Sequence, residues 1–228
     1  MIRFYLASSS PRRIQLLQQV GLKLKIIKPD VDEVAMKGEK PGQLVRRLAK
    51  EKAIYVYNRL SSKRQGRQNF LVLAADTIVV SPIGQKILGK PTSREDAFRM
   101  LSALSGKTHI VYTGYCLIYF DSSKVEVNEK SRWKKNPLKI LTRICKTRVK
   151  MRHLDSETLR RYISSGEPMD KAGSYAAQGL GTALIEKIHG SYTNVVGLPV
   201  TQVLLDMERL TGTKLFEWTE RSREAHQR

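Results

Sequence analysis

The run from Phe70 to Val80 is the most apolar stretch of the chain and constrains the fold most. An uninterrupted apolar run is typical of a β-strand inside a sheet that is covered on both faces. Asp76 stands in its middle, and a buried carboxylate is costly unless it meets a cation, a metal ion or several donors. Two interpretations follow: a structural ion pair with an arginine, or a general base or metal ligand at a bend, with the Thr77 hydroxyl beside it.

A serine-rich turn near the start of the chain has the pattern of an anion site. Residues 2–7 predict a short strand, and the serine triplet at residues 8–10 leads from it into an amphipathic helix. The last serine suits the N-cap and Pro11 the first helical position. The helix N-terminus, the hydroxyls, Arg12 and Arg13 together supply donors that suit a phosphate. A capped helix with solvated arginines is the structural alternative.

Two lysines occupy positions from which they could reach the same anion. A helix predicted over about residues 41–60 carries Lys52 on its apolar face. Its ammonium either extends past the core into solvent or is aimed inward at a phosphate. Lys90 stands between a glycine and a proline on a bent backbone, as a second phosphate ligand or as part of a surface turn.

A strong charge bias sets this chain of 228 residues apart from an ordinary globular protein. The net charge of +20 favours a polyanionic partner such as a nucleotide, a nucleic acid or an anionic membrane surface. Basic residues are concentrated in residues 122–150, where Glu126 and Glu129 oppose them. This segment predicts an exposed loop or hairpin before a strand resumes at Thr147, with a nucleic-acid or membrane arm as the alternative.

Cysteine usage and hydropathy bear on the location of the protein. Cys116 and Cys145 form no redox or metal motif, so a reducing cytoplasm is expected. The N-terminus becomes polar early, and no apolar run reaches about 20 residues. Neither a secretion signal nor a membrane span is predicted.

Several separated segments together resemble the Maf family of nucleoside triphosphate pyrophosphatases, and the resemblance covers nearly the whole chain. The exception is a basic segment at about residues 122–145, which looks like an insertion relative to the family. The matching segments are LASSSPRR at residues 6–13, ADTIVV at 75–80, LGKP at 88–91, GEPMDKAGSY at 166–175, QG at 178–179 and NVVGLP at 194–199.

The resemblance implies a single domain over residues 1–228 with a Maf/ITPase-like α/β fold. A long central mixed β-sheet would be flanked by helices, with a nucleotide cleft between two lobes. The implied activity is hydrolysis of dTTP and UTP to the monophosphate and pyrophosphate, which cleans the nucleotide pool. Mg²⁺ or Mn²⁺ is the implied cofactor, a nucleoside triphosphate the substrate and a homodimer the assembly.

The same resemblance assigns roles to individual residues. Asp76 is the base that deprotonates the attacking water, and Glu33 holds the metal ion. Arg12, Thr77 and Gln178 determine substrate choice, and the neutral Gln178 amide favours the dTTP/UTP branch over the branch that acts on 7-methyl-GTP. The residues expected to bind the phosphates are Ser8, Ser10, Arg13, Lys52 and Lys90.

Two alternatives stay open at the level of sequence. One is a pyrophosphatase for modified nucleotides such as 7-methyl-GTP. The other is a basic protein that binds nucleic acid or regulates division without turnover. The net charge and the family's link to division arrest favour the second, but the basic segments lie away from the motif positions.

Overall fold

One mixed β-sheet forms the centre of the protein in a computed structural model. The structure describes residues 2–64, 68–84, 86–124, 138–214 and 216–218. Within these residues the strands are β1 (Arg3–Ala7), β2 (Leu24–Ile26), β3 (Phe70–Val80), β4 (Ile87–Leu88), β5 (Thr108–Phe120), β6 (Leu138–Met151) and β7 (Ile185–His189). Their order across the sheet is β2-β1-β3-β5-β6-β7, and β4 pairs with β3 at its end. β1 runs parallel to β2 and β3, whereas the other neighbours are antiparallel.

Helices cover both faces of this sheet. In the described parts of the chain they are α1 (Pro11–Gln19), α2 (Pro41–Arg64), α3 (Arg94–Leu104), α4 (Ser156–Ser164), α5 (Tyr192–Val196) and α6 (Val200–Thr211). The predicted start of α1 is confirmed, since Ser10 is the N-cap residue and Pro11 the first helical residue. The α/β class with a long mixed sheet flanked by helices is confirmed as well.

β3 is the buried strand that its composition predicts. Its residues alternate between the two faces of the sheet, as side chains on a strand do. Leu71 and Leu73 pack in a core with α1 and α6, whereas Val72 and Ala74 pack in a second core with α2. The apolar run is therefore continuous because both faces of β3 are covered, and all of its residues are buried except the half-buried Thr77.

A further core forms the second lobe, around the beginning of β5 and the end of β6. There α3 and α4 contribute Leu101, Leu104 and Leu159, which pack with Val111 and Met151. The cleft predicted between two lobes lies where this core meets the core of α1 and α6.

β6 is longer than the sequence predicts. It begins at Leu138, which pairs with Phe120, so the prediction that a strand resumes only at Thr147 is wrong. Residues 138–145 of the segment that looks like an insertion belong to the sheet, and residues 125–137 lie outside the described residues. Four basic side chains of β6 interact with other parts of the protein. Lys139 and Lys150 donate hydrogen bonds to the carbonyl oxygens of Leu210 and Gly106, Arg143 binds the carboxylate of Asp206, and the Lys146 ammonium lies over the Tyr112 ring.

Cys116 is a buried free thiol and Cys145 a half-buried one. Among the residues that the structure describes, no helix combines the length and hydropathy needed to cross a bilayer.

Candidate functional site

The strand order brings the serine turn to Asp76. β1 ends at Ala7, which lies opposite Ala74, while the parallel β3 continues to Val80. The chain that leaves β1 therefore emerges beside Asp76 and Thr77. Ligands of open α/β sheets bind at such carboxyl ends of strands, where loops rather than neighbouring strands surround the site.

A cavity of about 340 Å³ opens at this point and lies between the two lobes. Every site residue predicted from the sequence lines it, although these residues come from separate parts of the chain. They are Ser8, Ser10, Arg12, Arg13, Glu33, Lys52, Asp76, Thr77, Lys90 and Gln178. Their common location is shown; their individual roles stay predictions.

Lys52 joins two carboxylates at the base of the cavity. Its Nζ lies 2.6 Å from Asp76 Oδ1 and 2.6 Å from Glu33 Oε1. Lys52 and Asp76 are only 6% and 7% exposed, so the ammonium points inward rather than past the core. An arginine as the structural partner of Asp76 was one interpretation of the sequence, and it is wrong because the partner is this lysine.

Glu33 is the more accessible member of this group, with its side chain 64% exposed. Partial burial raises the pKa of its carboxyl, but the hydrogen bond from Lys52 and the charges of Lys52, Arg13 and Lys90 outweigh that effect. The net result is a pKa below the ordinary value for a glutamic acid. Glu33 is therefore an anion at neutral pH, and three cations surround it.

Arg13 connects three parts of the cavity wall. Its Nε donates to Gly197 O at 2.9 Å, Nη1 to Ser8 Oγ at 3.2 Å and Nη2 to Thr77 Oγ1 at 3.0 Å. Burial lowers the pKa of its guanidinium, and the nearby Asp76 charge opposes that shift. The side chain is thus held in a fixed orientation, with its remaining N–H groups left for a ligand.

The first turn of α1 lines the same cavity. Ser10 makes no side-chain capping bond, and its backbone N–H donates instead to Ser8 Oγ at 3.1 Å. The Ser10 hydroxyl is therefore not engaged at the helix end. A helix N-terminus that is not capped by its own side chain attracts anions through its free amides and its dipole.

The opposite wall contains charged residues to which the sequence gave no role. Asp170 and Lys171 form an ion pair there. Burial raises the pKa of the Asp170 carboxyl, but the bond from Lys171 and the charges of Lys171 and Arg12 bring it below its usual range. The mixture of charges and glycines in the loop after Gly166 is the sequence signal for this wall.

Lys28 also lines the cavity and was missed. It follows β2, which is parallel to β1 and ends at the same edge of the sheet. That signal becomes visible only once the strand order is known. The side chain is exposed, so its ammonium lies at the mouth of the cavity.

The carboxylates of the cavity suit a divalent cation that is shared with a substrate. In the described part of the chain, no three or more acidic, histidine or cysteine side chains form a metal cage. Mg²⁺ seldom needs one, since it binds through one or two carboxylates together with substrate phosphates and water. Glu33 and Asp76 both contact Lys52, so two carboxylates with hard oxygen donors lie near each other in the cavity, as this pattern requires.

Comparison with known proteins gives consistent results. The profile of the family described as "Maf-like protein" matches residues 3–210. A dTTP/UTP pyrophosphatase from Caldicellulosiruptor bescii is 42% identical, over 92% of this chain and 96% of that protein. Proteins of the same name from Acetivibrio thermocellus and Syntrophomonas wolfei are 41% and 43% identical, over 88% and 87% of this chain and 91% and 92% of theirs.

Proposed function

The chain belongs to the Maf-like protein family, and from that membership we propose that it hydrolyses nucleoside triphosphates to the monophosphate and pyrophosphate. The proposed substrates are dTTP and UTP, which appear in the names of the relatives at 41–43% identity. The observation that carries the proposal is the buried Asp76, held by Lys52 in a cavity that the first turn of α1 also lines.

Asp76 is the proposed base. Its Oδ1 accepts from Lys52 Nζ, which leaves Oδ2 to take the proton of the attacking water. A positioned base of this kind contributes about 10² to 10⁴ in rate. Lys52 fixes the carboxylate in one orientation, so the proton acceptor is placed before the substrate arrives.

The cations and hydroxyls of the cavity are the proposed phosphate ligands. Arg13, Lys52 and Lys90 would offset the charge that grows on the pyrophosphate leaving group. Ser8, Ser10 and the α1 amides add neutral donors. Glu33 would hold Mg²⁺ or Mn²⁺ together with phosphate oxygens, and the bound ion supplies charge neutralisation at those oxygens.

Arg12, Thr77 and Gln178 are the proposed determinants of substrate choice. The Thr77 hydroxyl accepts from Arg13 Nη2 and lies 3.2 Å from Gly197 O. Thr77 therefore acts by fixing the Arg13 guanidinium. The Gln178 amide offers both a donor and an acceptor to a pyrimidine edge. A homodimer, a cytoplasmic location and a link to division arrest stay predictions.

Replacement of the base tests the proposal. We expect Asp76→Asn to keep the fold and to lower pyrophosphate release from UTP by about 10² to 10⁴. Glu157→Gln is the control, because Glu157 is exposed on α4. An Asp76→Asn protein with full activity would remove Asp76 from its proposed role. A panel of UTP, dTTP, CTP, 7-methyl-GTP and ITP separates the proposed substrates from the modified-nucleotide alternative.

A further inference from the structure

The loop that carries Gln178 is held in place by side chains from outside the cavity. Glu167 and Tyr162 do most of this, although neither lines the cavity. Tyr162 is a buried residue of α4, and Glu167 follows α4 at the start of a short 3-10 turn. Neither residue can touch a substrate that fills the cavity, so any influence on turnover must pass through the loop.

Glu167 binds the backbone just after Gln178. Its Oε2 accepts from Leu180 N at 3.0 Å, and its Oε1 accepts from Gly181 N at 2.8 Å. Hydrogen bonds from amides to a carboxylate are stronger than those between neutral groups. Gly179 lies so close that a Cβ there would be 2.5 Å from Glu167 Oε2, and its φ is +65°. Only glycine fits this approach readily.

Tyr162 extends the same contacts to the backbone before Gln178. Its hydroxyl donates to Glu167 Oε1 at 2.9 Å and accepts from Ala176 N at 3.3 Å. The two ends of the loop also pack on each other, since a Cβ on Gly181 would lie 2.4 Å from Ala176 O. The residue next to Gln178 is fixed too, because Ala177 O accepts from the Thr182 and Tyr192 hydroxyls at 3.1 and 3.0 Å.

We propose that Glu167, with Tyr162, is a positioning residue for base recognition: it fixes the backbone on both sides of Gln178, so that the amide meets the base at a set depth. The inference rests on the proposed function, in which Gln178 contacts the base. A glutamine on a loop that is free to move loses conformational entropy when it binds, whereas a fixed loop has lost it on folding. Glu167 therefore stabilises the bound nucleotide through Gln178 and leaves the phosphates unaffected.

Two probes separate base recognition from phosphate binding. The first is α,β-imido-UTP, which cannot be cleaved at the bridging position, and the second is inorganic triphosphate, which has no base. We expect Glu167→Gln to weaken binding of α,β-imido-UTP by about tenfold, because an NH₂ group must replace one acceptor oxygen. Binding of inorganic triphosphate should not change. Both affinities are measured by titration calorimetry with Mg²⁺ present.

Glu157→Gln is the matched control, because it makes the same chemical change on the exposed side of α4 and should leave both affinities unaltered. A Glu167→Gln protein that binds both probes normally overturns the inference. Equal losses for both probes overturn it as well, since they indicate general damage to the cavity.

A double-mutant cycle tests whether Glu167 acts through Gln178. In a Gln178→Ala background, Glu167→Gln should cause no further loss of α,β-imido-UTP binding, since coupled residues are not additive. Additive losses would contradict the inference. Tyr162→Phe should reproduce the Glu167→Gln pattern in a weaker form.

Amide hydrogen exchange tests the contacts without any ligand. We expect the amides of Leu180 and Gly181 to exchange faster in Glu167→Gln than in the unaltered protein. Unchanged exchange overturns the role of Glu167 whether or not the protein cleaves UTP. A third outcome is that Glu167→Gln shows faster exchange and a selective loss of α,β-imido-UTP binding, while the unaltered protein releases no pyrophosphate from UTP. That outcome would support the positioning role of Glu167 and contradict only the proposed function.

Discussion

The buried Lys52 gains little stability for the fold from its ion pair. Its pair with Asp76 is almost fully removed from solvent. Desolvation of two such charges cancels most of their attraction, so an apolar pair of similar size would stabilise the fold equally well. The pair orients a carboxylate beside a cavity rich in cations, which is the orientation that the proposed role of Asp76 as the base needs.

His109 is a buried titratable residue with a consequence for stability. It is 1% exposed, and its Nε2 lies 2.7 Å from the hydroxyl of Tyr175, which lines the cavity. Burial lowers the pKa of His109 from 6.5 to about 4. Between these values the unfolded chain binds a proton that the folded protein excludes. Stability therefore rises with pH across this window and falls as the pH drops from about 6.5 towards about 4.

We expect this one group to account for a loss of about 3 kcal/mol in the free energy of unfolding across that window. Urea unfolding of the unaltered protein and of His109→Phe, from about pH 7 to about pH 4.5, measures it. In His109→Phe, the dependence of the free energy of unfolding on pH should be weaker by the contribution of about one bound proton, whatever the absolute stability of the variant. Equal slopes for His109→Phe and the unaltered protein would contradict the assignment.

At the scale of elements, α2 and β5 approach each other closely because of one glycine. Gly114 lies opposite Asp76 in the β3–β5 pair. A Cβ at this position would lie 2.2 Å from Val45 O and 2.7 Å from Arg46 N, both in the backbone of α2. Lys52 follows two helical turns later on the same helix. The close approach thus sets the distance between Lys52 and the strand that carries Asp76.

We expect Gly114→Ala to move α2 away from the sheet and to lower the free energy of unfolding by about 1–3 kcal/mol. Turnover of UTP should fall with it, because Lys52 moves relative to Asp76. Gly42→Ala is the matched control on α2, since a Cβ there meets Ile144 Cδ1 at an ordinary 3.4 Å. Thermal unfolding and pyrophosphate release measure the two effects. Normal values of both in Gly114→Ala would show that α2 is positioned by other contacts.

The elements that the sequence predicted well are those with a strong local pattern. The apolar run of β3 and the Ser-Pro start of α1 are encoded by neighbouring residues, and both were placed correctly. The role of Gly114 depends on a helix far away in the chain, so nothing near it in sequence reveals the contact. The early start of β6 was missed because its first part, before the pairing with β7 that starts at Arg148, lies at the sheet edge, and basic side chains there resemble a solvated loop until the pairing with β5 is known.

The candidate site divides in the same way. Charges in apolar surroundings, which are a local signal, marked Asp76 and Lys52 as candidates, and the family resemblance supplied their expected roles. Lys28 and Glu167 have no such signal. Lys28 reaches the cavity because the parallel strands β1 and β2 end at the same edge of the sheet. Glu167 contacts the loop because its carboxylate approaches Gly179 closely and binds the backbone that follows it. Family resemblance placed Gln178, but only the structure shows what holds it.

At the scale of the whole molecule, the basic residues lie in two kinds of environment: some contact other groups of the fold, and others line the cavity. Several basic residues of β6 contact carbonyls, a carboxylate or a ring of the fold, so that strand offers less free charge to a nucleic acid than its sequence indicates. In the cavity, cations outnumber carboxylates: Arg12, Arg13, Lys28, Lys52, Lys90 and Lys171 against Glu33, Asp76 and Asp170. The cleft therefore carries a net positive charge of its own, which can attract a triphosphate.

A cleft with this charge should capture its substrate by electrostatic attraction, which salt screens. We expect kcat/KM for UTP to fall several-fold as ionic strength rises from about 0.02 to about 0.2 M, with kcat unchanged. Lys28→Gln, at the mouth of the cavity, should lower kcat/KM at low salt and flatten its salt dependence. Lys187→Gln, on the exposed β7, removes the same charge elsewhere and should alter neither. If the two variants behave alike, attraction comes from the net charge of the whole protein, and the cations of the cleft act only after the nucleotide has bound.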